Sequence, residues 1–112
     1  MFAYLIDPFA RNVTRVERTA ERGTRAELDE LYTLLDCDTV EAIRPHNADS
    51  DMLYVDENGK MRDPLAFFLC RLWPHEPLTG RALWVGTTPE GDDADPACTL
   101  EYVRAHIVWS AT

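Results

Sequence analysis

The feature that most constrains this fold is one helix signature set among short runs of strand-forming residues. Thr24-Arg25-Ala26-Glu27 is a capping-box tetrad, in which the Thr24 hydroxyl is expected to accept the Glu27 amide and the Glu27 carboxylate to reach back. Leu28, Leu31, Tyr32 and Leu35 follow at i, i+3, i+4 and i+7, one apolar stripe, with Glu27, Asp29, Glu30 and Thr33 on the other face. Gly23 lets the chain turn into this helix, expected over residues 25–35.

The flanking segments read differently. Residues 2–6 (FAYLI) and 12–18 (NVTRVER) are rich in β-formers, and Asp7-Pro8 interrupts them, so they predict an N-terminal hairpin turning at residues 7–10. Residues 39–43 (TVEAI), 52–56 (MLYVD) and 81–85 (RALWV) predict further strands, the last ended by Gly86. Asn58-Gly59 tolerates positive φ and predicts a hairpin whose return strand begins at residues 60–63. Residues 65–72 (LAFFLCRL) fit a buried strand or a helix; Pro64 favours the helix, Phe67-Phe68 the strand, toward which the reading leans. Residues 87–96 read as an acidic loop. Asp95-Pro96 or Thr99 can then start a last helix, and residues 106–109 can instead close the fold as a strand. Together these predict one α+β domain over residues 1–112: a mainly antiparallel sheet of about five or six strands, one helix on a face, and a short C-terminal helix or strand.

Charge narrows the partners. Twenty Asp and Glu oppose eleven Lys and Arg, a formal net charge of −9 over 112 residues. Such a field repels phosphate backbones and attracts basic surfaces, so a protein partner with a basic surface is expected and direct nucleic-acid binding is not. The candidate contact face comprises Asp49, Asp51, Asp56 and Glu57 on one side and Glu90, Asp92, Asp93 and Asp95 on the other. Arg11, Arg15 and Arg18 form a second candidate edge, for an anion or a partner's acids, or else balance the neighbouring carboxylates. No apolar run approaches the roughly 18 residues of a membrane span, and the N-terminus lacks a signal-peptide pattern, so no membrane contact and a cytoplasmic location are expected. Cys37, Cys70 and Cys98 are odd in number and far apart, a poor disulfide framework.

Signals for catalysis are few. His46, His75 and His106 are isolated, and no cysteine pair has zinc-finger spacing. The expectation is therefore no metal and no cofactor, the alternative being a site assembled by folding from Cys37 or Asp38 with His46. The loop at residues 91–95 lacks the ligand alternation and terminal Glu of a calcium loop. There is no G-x-S-x-G elbow, and the glycines at 86 and 91 flank no Walker lysine. Cys37 lies between Asp36 and Asp38, a field that disfavours a thiolate. Trp84 is read as core, while Trp73, beside Pro74, is a candidate for an exposed contact as well as for the core.

Four segments, YLIDPFAR (4–11), YTLLDCDTV (32–40), LYVDENG (53–59) and LTGRALWVGT (78–87), resemble, in this order, a family of small uncharacterised proteins of bacterial genomes, phages and plasmids. The resemblance implies an accessory role and carries no catalytic residues. The expected function is a non-enzymatic protein-binding module, an inhibitor or nucleic-acid mimic acting on a basic, nucleic-acid-handling partner. The alternatives are a small hydrolytic or metal-dependent enzyme, with Asp7, Asp38 and His46 or His75 converging in a cleft, and a self-associating structural protein. The sequence leaves the partner and the oligomeric state open.

Overall fold

The computed structural model describes residues 1–21, 23–61 and 65–109. Strands β1 (Phe2–Asp7) and β2 (Asn12–Glu17) form the N-terminal hairpin, in register from Phe2 opposite Glu17 to Asp7 opposite Asn12. Its turn is built by Asp7, whose Oδ1 accepts the amides of Phe9 (2.9 Å) and Ala10 (3.2 Å), and by Arg11 at φ 55°. Helix α1 (Arg25–Leu35) follows, then β3 (Val40–Ile43) and β4 (Met52–Asp56). A 3₁₀ turn (Gly59–Met61) leads toward β5 (Phe67–Cys70), β6 (Leu78–Thr79) and β7 (Ala82–Thr87). The chain ends in β8 (Asp93–Ala94), α2 (Leu100–Ala105) and β9 (Ile107–Trp109).

The strands form two antiparallel sheets. The larger runs β2-β1-β7-β4-β3, with β8 paired to the end of β7; the smaller runs β6-β5-β9. The expected α+β architecture is thus present, with the second sheet as an addition. Its layering follows from the period of two in the central strands. Ala3, Leu83 and Val85 face α1, where Leu31 and Leu35 bury against them. Their neighbours Tyr4, Ile6, Leu53, Ala82 and Trp84 point the other way, onto Phe68 and Cys70 of the small sheet and Val103 of α2. Strand β7 is covered on both faces, which is why Ala82-Leu83-Trp84-Val85 reads as an unbroken apolar run. No helix among the described residues is long and apolar enough to cross a membrane.

Several local expectations change. Thr24 is the N-cap of α1, but its hydroxyl donates to the Glu21 carbonyl (2.6 Å), and the Glu27 amide bonds the Thr24 carbonyl instead (3.1 Å). The capping box is therefore not formed. Asn58-Gly59 makes no hairpin: β4 is already flanked by β3 and β7, so no edge remains for a return strand. The Asn58 amide bonds Asp56 Oδ1 (2.9 Å), and Gly59 passes so close to Thr79 that a Cβ there would lie 2.7 Å from the Thr79 carbonyl oxygen. The return strand's expected residues 62 and 63 fall outside the described residues. Strand β7 does not stop at Gly86, because β8 pairs with Gly86 and Thr87. Residues 65–72 contain a strand, β5. The C-terminus supplies both expected alternatives, with the Thr99 hydroxyl capping α2 through the Tyr102 amide (3.1 Å) and β9 pairing with β5.

Candidate functional site

The eight candidate acids divide by burial. Asp51, Asp56 and Asp93 are internal, so they do not belong to an exposed face. Asp51 is 1% exposed; its Oδ2 accepts the Trp84 indole N–H (2.7 Å) and the Cys98 amide (2.9 Å), and its Oδ1 accepts the Ala97 amide (2.8 Å). A carboxylate with three such donors is stabilised where it lies, and it fastens the segment before α2 to the sheet. Burial, with the Asp51 carboxylate beside it, pushes the Cys98 thiol up to about 12, and burial also raises Cys70. Neither thiol is a ready nucleophile at neutral pH.

Asp93 belongs to a second internal cluster. The Arg18 guanidinium, its side chain 1% exposed, meets Glu30 (2.6 Å), Asp93 (3.3 Å) and the Glu27 carbonyl (3.4 Å). The Tyr54 hydroxyl donates to Asp93 (2.7 Å). Burial tends to raise the Glu30 carboxyl, but Arg18 and hydrogen bonds from Thr19 and Ala20 outweigh it and hold the group at about 2. Burial and the bond to Asp93 raise Tyr54. This cluster ties the end of β2 to α1, to β4 and to β8. Arg18 is therefore no part of an exposed arginine edge. Arg15 stays exposed, paired with Glu17 (3.1 Å) and set over the Phe2 ring at 3.8 Å, and Arg11 is exposed in the hairpin turn.

Asp49, Glu57, Glu90, Asp92 and Asp95 remain at the surface. Asp95 is partly engaged, accepting the Phe2 amide at 2.9 Å. Of these acids Glu57 lines a concavity. It borders a recess of about 140 Å³ where the two sheets meet, with Glu41 of β3, the buried Asp56, and Glu76 of the loop before β6. Lys60 lines the same recess and pairs with Glu76 (3.1 Å). Among the described residues four carboxylates and one lysine line the recess, so its lining is predominantly acidic. Glu41 and Glu76 lie outside the candidate set; their spacing along the chain gives no sign that β3 and the β5–β6 loop meet.

The expected cleft of Asp7, Asp38 and a histidine does not assemble as a metal set. Asp7 pairs with Arg81 (3.3 Å), while the His46 ring faces His75. Among the described residues no three or more His, Cys, Asp or Glu side chains come together in a group able to hold a metal ion. Trp73 is half-buried against both His46 and His75 and lines a mainly apolar groove of about 370 Å³ with Leu69, Pro74, Pro77 and Val108.

No curated protein and no solved structure matches the chain. A family model does match, over residues 1–106, which takes in the larger sheet, both helices, β5 and β6 of the smaller sheet and the recess where the sheets meet. The chain therefore belongs to the family described as a domain of unknown function, DUF3846.

Proposed function

We propose that this chain is a non-enzymatic protein-binding module whose acidic recess receives a lysine or arginine side chain from a basic, nucleic-acid-handling partner in the cytoplasm. The observation that carries this reading is the convergence of Glu41, Asp56, Glu57 and Glu76 on one concavity in a chain of net charge −9. Low-dielectric walls focus such a field and favour capture of a cation over binding of a phosphate backbone. Resemblance to proteins of phages and plasmids suits an accessory inhibitor, and a dense carboxylate surface suits imitation of nucleic acid. The raised thiols of the buried Cys70 and the half-buried Cys98 offer nothing to a competing nucleophilic reading.

The test is a comparative pull-down from host lysate in low salt, using the wild-type chain and an E41K/E57K double variant. A discrete basic protein held by the wild type, released at moderate salt and missing from the double variant is the expected result. The same proteins on both baits would overturn the recess as the contact surface.

A further inference from the structure

We propose that His46 and His75 form a surface binding site for a divalent transition-metal ion of the zinc, nickel or copper type. The two Nε2 atoms stand 3.2 Å apart, and both residues are exposed. Two imidazole nitrogens on one ion, each about 2.0–2.1 Å from it, lie roughly 2.9 Å apart at a square-planar angle and roughly 3.4 Å apart at a tetrahedral one. The observed spacing falls inside that span.

The rings are held in place before any ion arrives. The His46 amide is anchored to the Leu72 carbonyl at 2.6 Å, and the Trp73 amide to the Cys70 carbonyl at 2.9 Å. His75 sits between Pro74 and Pro77, whose fixed φ stiffens the loop. The Trp73 indole stacks on His46 (centroids 6.2 Å apart, planes 17° apart) and meets His75 edge-on at 4.6 Å. Without metal, the 3.2 Å contact has the geometry of one N–H···N bond, in which whichever ring donates carries its proton on Nε2. With metal, that proton moves to Nδ1, so both Nε2 lone pairs face the ion. Imidazole suits zinc, nickel and copper, whereas magnesium and calcium take oxygen ligands. Water or an added ligand completes the coordination, since no third protein ligand joins the pair among the described residues. The overall negative charge draws cations toward the surface.

The experiment uses untagged, metal-stripped protein. Zinc is titrated calorimetrically at neutral pH, and copper is followed by tryptophan fluorescence. One ion per chain is expected, with copper quenching emission through Trp73. H46A and H75A should each weaken binding by about tenfold or more, the scale on which losing even a ligand's own hydrogen-bond partner acts. H106A should leave binding unchanged, and W73F should keep the stoichiometry while losing most of the quench. Magnesium and calcium should not compete, and acid should weaken binding because protons compete for the ring nitrogens. Circular-dichroism melting confirms that each variant is folded. Absence of zinc binding, or one-to-one binding that survives the H46A/H75A double substitution and so belongs to surface carboxylates, would overturn the assignment.

Discussion

Arg18 concentrates the electrostatic cost of this fold at one buried side chain, and Glu30 is the partner that makes that burial tolerable. The free carboxyl value of 4.5 falls to about 2 in the folded chain. At about 1.4 kcal/mol per unit, Glu30 contributes about 3 kcal/mol. Because its folded value is depressed, that contribution is complete above the unfolded value and is lost as pH falls through the folded one, between about 4.5 and 2. The E30Q variant keeps the side-chain shape but leaves Arg18 with one carboxylate fewer, and its stability should fall by about 2–3 kcal/mol at neutral pH. Urea unfolding across the acid range checks the sign: the gap between wild type and E30Q should close as pH drops below the ordinary carboxyl range. A gap that stayed constant to low pH would show that packing, not charge, holds Glu30. None of this is visible from residue type. In an acidic chain nothing separates Asp51 and Asp93 from their exposed neighbours Asp49 and Asp92, because their burial is decided by strands and loops far away in sequence. Their donors, Trp84, Ala97 and Cys98 for Asp51 and Tyr54 for Asp93, are all at least 33 residues distant.

At the scale of the element, local patterns held where a segment's surroundings agreed with them. Strand β4 spans residues 52–56 and α1 residues 25–35, as the short strand-forming run and the apolar stripe predict. They failed where another chain segment took the same edge. Asn58-Gly59 has the turn chemistry of a hairpin, but β4 spends both its edges on β3 and β7. Gly86 reads as a strand terminator, yet it lies inside β7 because β8 crosses close beside it. A Cβ at Gly86 would lie 2.7 Å from the Asp95 carbonyl carbon. The Asp95 backbone has little room to give, since its carboxylate holds the Phe2 amide and Asp51 holds the residues just after it. G86A should therefore cost about 1–3 kcal/mol, the usual scale of overpacking, and loosen β8 first. Hydrogen exchange should show faster exchange at residues 93–98 than at the β1–β7 pairing. Uniform loss of protection across the sheet would refute a local clash.

For the whole molecule, the acidic recess and the stability of the fold pull in opposite directions. A net charge of −9 strains the compact state through self-repulsion. Internal acids such as Asp51, Asp93 and Glu30 offset their share with hydrogen bonds and Arg18. Glu41 and Glu57 do not: both are exposed, both border the recess, and neither forms an ion pair with another described residue. If these carboxylates are kept for recognition, they should be a burden on folding that salt relieves. E41K/E57K moves the net charge from −9 to −5, each substitution adding two units. It should raise stability by about 0.5–1 kcal/mol at low ionic strength, the scale of exposed charge interactions. The gain should disappear near 1 M salt, where the screening length shrinks to about 3 Å. Thermal unfolding of the two chains over a salt series decides the point. A variant that is more stable yet blind to the partner would separate recognition from folding. A variant that is less stable at every salt concentration would mean the recess carboxylates support the junction of the two sheets, and loss of binding in that variant would then reflect damage to the fold.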